Sequence, residues 1–416
     1  MRKRLSRRHF LGAGAGALAA AGGLMWLYQP RKIGAPLGDL VSDSNGMLDL
    51  PPGFSYQVLQ RVGDQMTDGF NVPSAPDAMA CFAGENDSWV VMRNHEIHEG
   101  IPVDPTLGFA DNRGGGVTRL VVDRESGVLR ASNFVLTGTS RNCAGGPSPY
   151  GWLSCEEVGE PGHGYVFLCD ASASTLQAPH KLPALGRFPH EAAAFDEATG
   201  ITYLTEDTSD SAIYRHLPDH RTKPFVGGEL QALKVSSKDR FRLSEGPKVG
   251  DAFNVEWVSV ADPQALKAST RDQAHNLGAA FLSRGEGAWL SEGHVYICST
   301  DGGPNRRGQL YRLDILSDGL DRLTLVAQAE SEDSFANPDN ITVSPWGDVF
   351  LAEDGAAPNG VRVLKPDGSL HHFARNALNG GKSEIAGICF SPDGKWLFLN
   401  LQWEGLTFAI TGPFTV

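Results

Sequence analysis

Six short β-type runs recur along the chain, and each ends on a carboxylate, an amide or a comparable oxygen donor. The intervals between the runs are about 63, 49, 94, 53 and 48 residues. A repeat of this length with several strands per unit is typical of a β-propeller, in which each blade sends one inner strand along a central channel. The sequence therefore predicts an all-β propeller of six blades, or of seven if the long third interval holds another. The runs are 89–96, 152–157, 201–207, 295–301, 349–354 and 396–402.

The composition agrees with short strands joined by tight turns. The chain contains 49 Gly and 25 Pro, and few of its segments have a long helical pattern. The Pro-Asp-Gly sequences at 366–368 and 392–394 suit tight β-turns. These features favour an all-β chain.

The oxygen donors at the ends of the runs would meet at one mouth of the propeller channel. Like charges about 4 Å apart repel by roughly 4 kcal/mol at an effective dielectric constant near 20, so a ring of carboxylates implies bound cations or raised pKa values. A single acidic residue after a strand is often only a turn former. Six donors in the same place favour a metal site.

The first 32 residues carry an export pattern. Residues 6–11 read Ser-Arg-Arg-His-Phe-Leu, a twin-arginine motif, and an apolar stretch follows from Phe10 to Tyr28. Nineteen residues at about 1.5 Å each could just span a bilayer, so we expect either a signal or an uncleaved membrane anchor. The twin-arginine export machinery is then a partner, and we expect a periplasmic or secreted protein. Residues 33–416 are predicted to form one propeller domain.

The charge of the chain argues against a nucleic-acid partner. The formal net charge is −13, and residues 1–32 contain seven Lys/Arg and no Asp/Glu, so the remainder carries −20. Nucleic-acid binding needs a basic surface. Of the six cysteines, those at 155, 169, 298 and 389 lie in strand-like runs and are expected to be buried apolar thiols.

Three irregular segments put metal-binding or anion-binding side chains beside turn-forming residues. Cys143 lies in a glycine-rich segment that can wrap a ligand and present a thiolate, and Glu191 follows Pro189 and His190. Arg284 and Glu286 are two positions apart, so in an extended segment both side chains point to the same side. The carboxylate could hold a metal while the guanidinium binds an oxyanion, although a surface ion pair is an equal alternative.

Together these blocks resemble the PhoX family of secreted alkaline phosphatases, from about Leu50 to the C-terminus. The resemblance implies a six-bladed propeller that holds iron and calcium at its channel mouth and hydrolyses phosphomonoesters. We then expect small-molecule phosphoesters as substrates and a monomer as the functional form. The matching segments are 93–96, 142–147, 155–157, 186–192, 284–286, 338–340 and 384–387.

The resemblance also implies roles for individual residues. Cys143, Glu191 and Glu286 would be the iron ligands, and Arg284 would clamp the phosphate. The candidates for calcium are Glu96, Glu157, Glu206, Asp207, Asp301 and Glu353. Iron held by a thiolate and carboxylates can polarise a phosphoryl oxygen, so no serine nucleophile is required.

The chain departs from the family pattern in two motifs. Residues 402–405 read Gln-Trp-Glu-Gly where many members have Gln-His-Pro-Gly, and residues 284–287 read Arg-Gly-Glu-Gly where others have Arg-Pro-Glu-Trp. One alternative is a calcium-dependent lactonase or esterase that surrounds a single metal with residues 337–340 and 353–354. Another is a non-catalytic propeller that binds metal for stability.

Overall fold

The structure is a computed structural model that describes residues 34–316, 319–331 and 334–415. The twin-arginine motif and the apolar stretch after it lie outside the described residues, so the export signal and the anchor stay predictions. Within the described ranges, no helix has both the length and the apolar character needed to cross a membrane.

Strands form most of the regular structure. The described residues also contain one α-helix, α1 (Thr270–Asn276), which begins where the Ser269 side chain accepts a hydrogen bond from the backbone N–H of Asp272. Short 3-10 turns occupy Pro183–Leu185 and Leu378–Gly381. The strands are β1 (Leu48–Asp49), β2 (Ser55–Arg61), β3 (Pro76–Ala83), β4 (Ser88–His95), β5 (Gly115–Asp123), β6 (Leu129–Thr139), β7 (Asn142–Ser148), β8 (Gly151–Glu156), β9 (Val166–Cys169), β10 (His190–Phe195), β11 (Thr202–Glu206), β12 (Tyr214–Leu217), β13 (Glu229–Val235), β14 (Ala252–Ser259), β15 (Gly285–Ser291), β16 (His294–Ser299), β17 (Gln309–Asp314), β18 (Arg322–Gln328), β19 (Pro338–Val343), β20 (Val349–Glu353), β21 (Gly360–Leu364), β22 (Leu370–Asn376), β23 (Ile385–Phe390), β24 (Trp396–Leu401) and β25 (Leu406–Thr411).

Neighbouring strands in the chain pair antiparallel and form successive meanders. These are β3–β6, β7–β9, β10–β13, β15–β18, β19–β22 and β23–β25. The long third interval of the sequence repeat contains α1 and the extra strand β14, which pairs with both β13 and β18 and so joins two meanders into one sheet. At the other end of the chain, β2 pairs with β25 and β1 with β22.

The first strands of the meanders form a closed ring. In the order β3, β7, β10, β15, β19 and β23, each contacts the next, and β23 contacts β3 again. The fold is therefore mostly β with a propeller-like arrangement, as the sequence repeat predicts at this level. Large apolar side chains such as Trp152, Tyr203, Phe350 and Phe398 are buried between the sheets, and each contributes roughly 1.5–3 kcal/mol to stability.

Each of the six inner strands begins with a β-bulge. In β7, for example, Asn142 pairs with Glu156, but the next regular pair is Gly145 with Ser154. The same shift occurs in β3, β10, β15, β19 and β23. A bulge leaves one residue unpaired and turns its side chain in a new direction. The repeated bulge therefore gives every meander one side chain that is free of the regular sheet pattern.

Candidate metal and phosphate site

Five of the six bulges carry a possible metal ligand, and all five side chains are buried. Each is the second residue of its strand, so the fold brings equivalent positions of successive meanders together. The sixth bulge, in β23, contains Gly387 instead. The five residues are Asp77, Cys143, Glu191, Glu286 and Asp339.

These residues form one continuous group of donors together with two acidic residues that follow β4 and β8. Three overlapping sets have ligand atoms within 4.8 Å of one another: Asp77, Glu96 and Cys143; Cys143, Glu157 and Glu191; and Glu191, Glu286 and Asp339. Because Cys143 and Glu191 each belong to two sets, we treat all seven residues as one feature, the thiol–carboxylate cluster. It combines one thiol with six carboxylates, which suits iron on the sulfur side and calcium on the oxygen side.

The surroundings of Glu191 indicate whether a cation fits this cluster. Its side chain is fully buried, and neither carboxylate oxygen has a hydrogen-bond partner among the described residues. An unpaired buried carboxylate is very costly, so such groups are normally paired, protonated or bound to a metal. The two oxygens lie beside Cys143 and Glu157 on one side and Glu286 and Asp339 on the other. The residues present therefore fit a bound cation at Glu191.

Without bound cations, the negative charges of the cluster carboxylates would repel one another. Burial, followed by the neighbouring carboxylates, raises the pKa values of Glu191 and Glu286 well above the ordinary range. The same causes raise the pKa of Asp339 to about 6 and that of the Cys143 thiol well above its usual value. Bound cations reverse this effect because they favour the ionised forms.

Two arginines lie beside the cluster. Arg284 donates from Nε and Nη2 to the two carboxylate oxygens of Asp207, at 2.9 and 3.0 Å, and from Nη2 to Glu286 at 2.6 Å. Arg141 donates from Nε to Glu96 at 2.8 Å, and its Nη2 lies 2.6 Å from an oxygen of Glu157. Both arginines thus contact cluster carboxylates directly and place positive charge where an anion could bind.

A cavity of about 590 Å³ opens beside the cluster. Its wall includes Arg141, Glu157 and Asp207, together with His98 and Pro189. Asp207 is the carboxylate that holds Arg284. The cavity therefore has Arg141 in its wall, reaches the carboxylate that holds Arg284, and offers space for a small ligand next to the donors.

The strand ends present acidic residues in adjacent pairs, and only one residue of each pair faces the cluster. Glu156 is fully buried in the sheet and accepts hydrogen bonds from Ser140 and His163, whereas the next residue, Glu157, belongs to the cluster. Consecutive strand residues point to opposite faces. The same alternation separates Glu206, which accepts a hydrogen bond from Tyr214, from Asp207, which pairs with Arg284 beside the cluster.

Three of the predicted calcium ligands have protein partners away from the cluster. Glu206 accepts hydrogen bonds from Tyr214 and Arg271, Glu353 from Arg362 and the backbone N–H of Ala336, and Asp301 from Ser283 and Arg306. The structure does not bring these three into any of the donor sets. Of the predicted site residues it brings together Cys143, Glu191, Glu286, Glu96 and Glu157, and it places Arg284 and Asp207 beside them.

Sequence reasoning missed several residues of the site. Asp77 was not among the predicted ligands, and Asp339 was expected near a metal only in the lactonase alternative, because both lie at strand starts and the calcium candidates were chosen at strand ends. A signal was present, since 76–77 and 338–339 are both Pro-Asp and each opens an inner strand. Gln402, in the divergent motif, donates to both Asp77 and Glu96, at 2.8 and 3.0 Å.

Comparisons with known proteins concern the family and the fold of the chain. A family model described as alkaline phosphatase PhoX matches residues 35–133 and 123–405. The solved structure of Pseudomonas fluorescens PhoX in complex with vanadate, a transition state analogue, is 18% identical, with a TM-score of 0.68 over 92% of this chain and 98% of that chain. A gluconolactonase structure from Xanthomonas campestris is 14% identical, with a TM-score of 0.44 over 91% of this chain and 99% of that chain. No curated protein matches the sequence.

Proposed function

The chain belongs to the alkaline phosphatase PhoX family, and from this membership we propose that it hydrolyses phosphomonoesters with metal ions held in the thiol–carboxylate cluster. The family match covers most of the sequence and confirms the resemblance seen in its motifs. The protein is therefore a hydrolase of this family. The choice of phosphomonoesters, the identity of the metals and the place where the enzyme works are proposals.

The main support for the proposal is that neither carboxylate oxygen of the buried Glu191 has a hydrogen-bond partner among the described residues. Following the family resemblance, we propose iron at Cys143, Glu191 and Glu286, with Glu191 shared between the donor set of Cys143 and that of Glu286, and calcium at the remaining donors of the cluster. Calcium binding by Glu206, Asp301 and Glu353 stays a prediction from the sequence. When bound, the cations would supply Lewis-acid polarisation of the phosphoryl group and activation of the attacking oxygen.

The protein's own residues would bind and orient the phosphate. Asp207 holds the Arg284 guanidinium through two parallel hydrogen bonds, which fixes its plane. Arg284 then offers donors to a phosphoryl oxygen beside Glu286. The positive charge is needed because the chain without residues 1–32 carries a net charge of −20.

The fold and the N-terminal sequence support two further parts of the proposal, the number of blades and the place where the enzyme acts. The closed ring of six inner strands supports a propeller of six blades with the cluster in its channel. The twin-arginine motif at residues 6–11 supports export and a site of action outside the cytoplasm.

Steady-state hydrolysis of p-nitrophenyl phosphate by the wild type, Cys143→Ala and Arg284→Ala tests the proposal. Alanine is compatible with the backbone at position 284, because Ala75 adopts the same left-handed conformation before β3. We expect Cys143→Ala to lose iron, and Arg284→Ala to keep its metals but to lose about 10²- to 10³-fold in kcat/KM.

A matched control is Arg312→Ala, which removes a similarly exposed arginine that pairs with Asp314 and lines a different cavity. This variant should retain full activity. Metal-loaded wild type without phosphatase activity would reject the proposal, and calcium without iron would favour the lactonase or the non-catalytic propeller.

A further inference from the structure

Arg141 and Arg284 occupy equivalent places in two different meanders. Each immediately precedes an inner strand, β7 or β15, and each lies two residues before a cluster ligand, Cys143 or Glu286. Both have a left-handed backbone with φ of 48°. Each guanidinium is paired with the acidic residue that directly follows the second strand of the preceding meander, Glu96 for Arg141 and Asp207 for Arg284. The two arginines are therefore related by the repeat of the fold.

The backbone geometry does not itself require arginine. The residues before β3 and β19 have the same conformation, with φ of 47° at Ala75 and 48° at Asn337. A left-handed residue thus precedes four of the six inner strands, and an alanine or an asparagine can fill that position. Arginine at two of these four positions needs another reason, and the chemistry of the side chain supplies one.

Acidic side chains hold both guanidinium groups in place, and each group keeps N–H donors that are free to bind a ligand. Arg141 uses Nε and Nη2 for Glu96 and Glu157, and Arg284 uses Nε and Nη2 for Asp207 and Glu286. Within the described ranges, Nη1 of neither arginine has a protein partner. The two side chains are 41% and 37% exposed, so these donors can reach a ligand.

The two arginines contact different carboxylates of the cluster. Arg141 contacts Glu96 and Glu157, which share donor sets with Cys143, whereas Arg284 contacts Glu286, which shares a set with Glu191 and Asp339. The cavity of about 590 Å³ has Arg141 in its wall together with Asp207, the partner of Arg284. An anion in this opening would lie beside Glu157 of the cluster, next to Arg141 and to the carboxylate that holds Arg284.

We propose that Arg141 is the second arginine of a phosphate clamp and donates to the phosphoryl group together with Arg284. This inference rests on the proposed phosphatase function. Two anchored guanidinium groups recognise a tetrahedral dianion better than one, because each presents rigid donors to different phosphoryl oxygens. The competing explanation is that Arg141 only neutralises Glu96 and Glu157 and thereby supports the metals.

Calorimetric binding of inorganic phosphate to metal-loaded protein tests the clamp without requiring turnover. The variants are Arg141→Ala, Arg141→Lys and Arg284→Ala, with Arg312→Ala as the control. Ala75 shows that alanine is accepted in this backbone conformation. We expect Arg141→Ala to weaken phosphate binding about 10- to 100-fold with unchanged iron and calcium content, and Arg141→Lys to recover only part of the loss.

Phosphate affinity and metal content test the clamp, whereas hydrolysis of phosphomonoesters tests the proposed function. Unchanged phosphate affinity in metal-loaded Arg141→Ala would overturn the clamp even if the wild type is an active phosphatase, and so would loss of iron or calcium from that variant. Phosphate binding that depends on both arginines, in a wild type that hydrolyses no phosphomonoester, would keep the clamp and reject the phosphatase assignment.

Discussion

The carboxylate of Glu191 is surrounded by other ligand side chains and has no hydrogen-bond donor of its own in the described part of the chain. A structural glutamate in such a position would normally be paired, as Glu156 is with Ser140, His163 and Gly164. The contrast between these two buried glutamates distinguishes a residue that supports the fold from one that holds a ligand.

Replacing Glu191 by glutamine should remove bound iron while leaving the fold intact. The amide has the same shape but lacks the charge that a cation requires, so we expect iron content to fall at least about tenfold under limiting metal. Metal analysis of the purified variant measures this. Asp348→Asn is the control, because Asp348 is a buried carboxylate paired with Lys365 and Trp346. Equal iron in wild type and Glu191→Gln would exclude Glu191 as a ligand.

The raised pKa values predict an unusual pH dependence for the metal-free protein. Burial and neighbouring charge raise the pKa of Asp339 to about 6 from its ordinary value of 3.8. A carboxyl group whose folded pKa is raised contributes stability below its unfolded pKa, and that contribution is lost as pH rises through the folded value. We therefore expect the Tm of metal-free protein to fall between about pH 4 and pH 7.

Calorimetric Tm values measured with and without metals separate the pH dependence that comes from the cluster from that of the rest of the molecule. Loaded protein should not show this fall, because cations replace protons on the same carboxylates. Parallel curves for the two forms would show that the cluster does not bind the added metals.

At the scale of the strand, the period of the repeat was predictable from the sequence and the bulges were not. Apolar runs and turn residues are local patterns that predict where a strand lies, but a bulge depends on how two strands pair. The prediction therefore found Glu96 and Glu157, which follow strands, but missed Asp77 and included Asp339 only in the lactonase alternative, since both lie in bulges. Cys143 and Glu191 were found only because they lie in recognisable motifs.

The bulge in β23 makes Gly387 a sensitive position. Its φ is 64°, and an added Cβ would lie 2.2 Å from the backbone oxygen of Asp77 on β3. We expect Gly387→Ala to lower the free energy of unfolding by about 3 kcal/mol or more, from backbone strain and steric overlap. Urea denaturation measures the change.

Gly368→Ala separates the two contributions, because Gly368 also has positive φ but an added Cβ there would have no neighbour within 4 Å among the described residues. This control should lose only about 1 kcal/mol. Equal effects of the two substitutions would mean that close approach of β23 to β3 is unimportant for stability.

At the scale of the whole molecule, the two ends of the chain share the structure that closes the ring. The N-terminal strand β2 completes the sheet formed by β23–β25. Arg93 on β4 is fully buried and donates to Gln60 on β2 and to Thr407 on β25, at 2.9 and 2.6 Å. It therefore connects the first meander to the last one. No local pattern in the sequence indicates this role, because its partners are distant in the chain.

Arg93→Met should destabilise the protein by about 3 kcal/mol, because it leaves several buried acceptors without a donor. Arg130→Met is the control, since Arg130 is partly exposed and pairs with Asp123 at the surface, where ion pairs contribute about 0–1 kcal/mol. Thermal and urea unfolding of both variants give the comparison. Equal stability of the two variants would refute a closing role for Arg93.

Metal analysis of the purified protein, with p-nitrophenyl phosphate hydrolysis assayed before chelation, after chelation and after metals are returned, tests whether the thiol–carboxylate cluster is a catalytic metal site. We expect iron and calcium in the active protein, loss of hydrolysis on chelation, and recovery when both metals are restored. Full activity of metal-free protein, or no hydrolysis by protein loaded with both metals, would contradict this expectation.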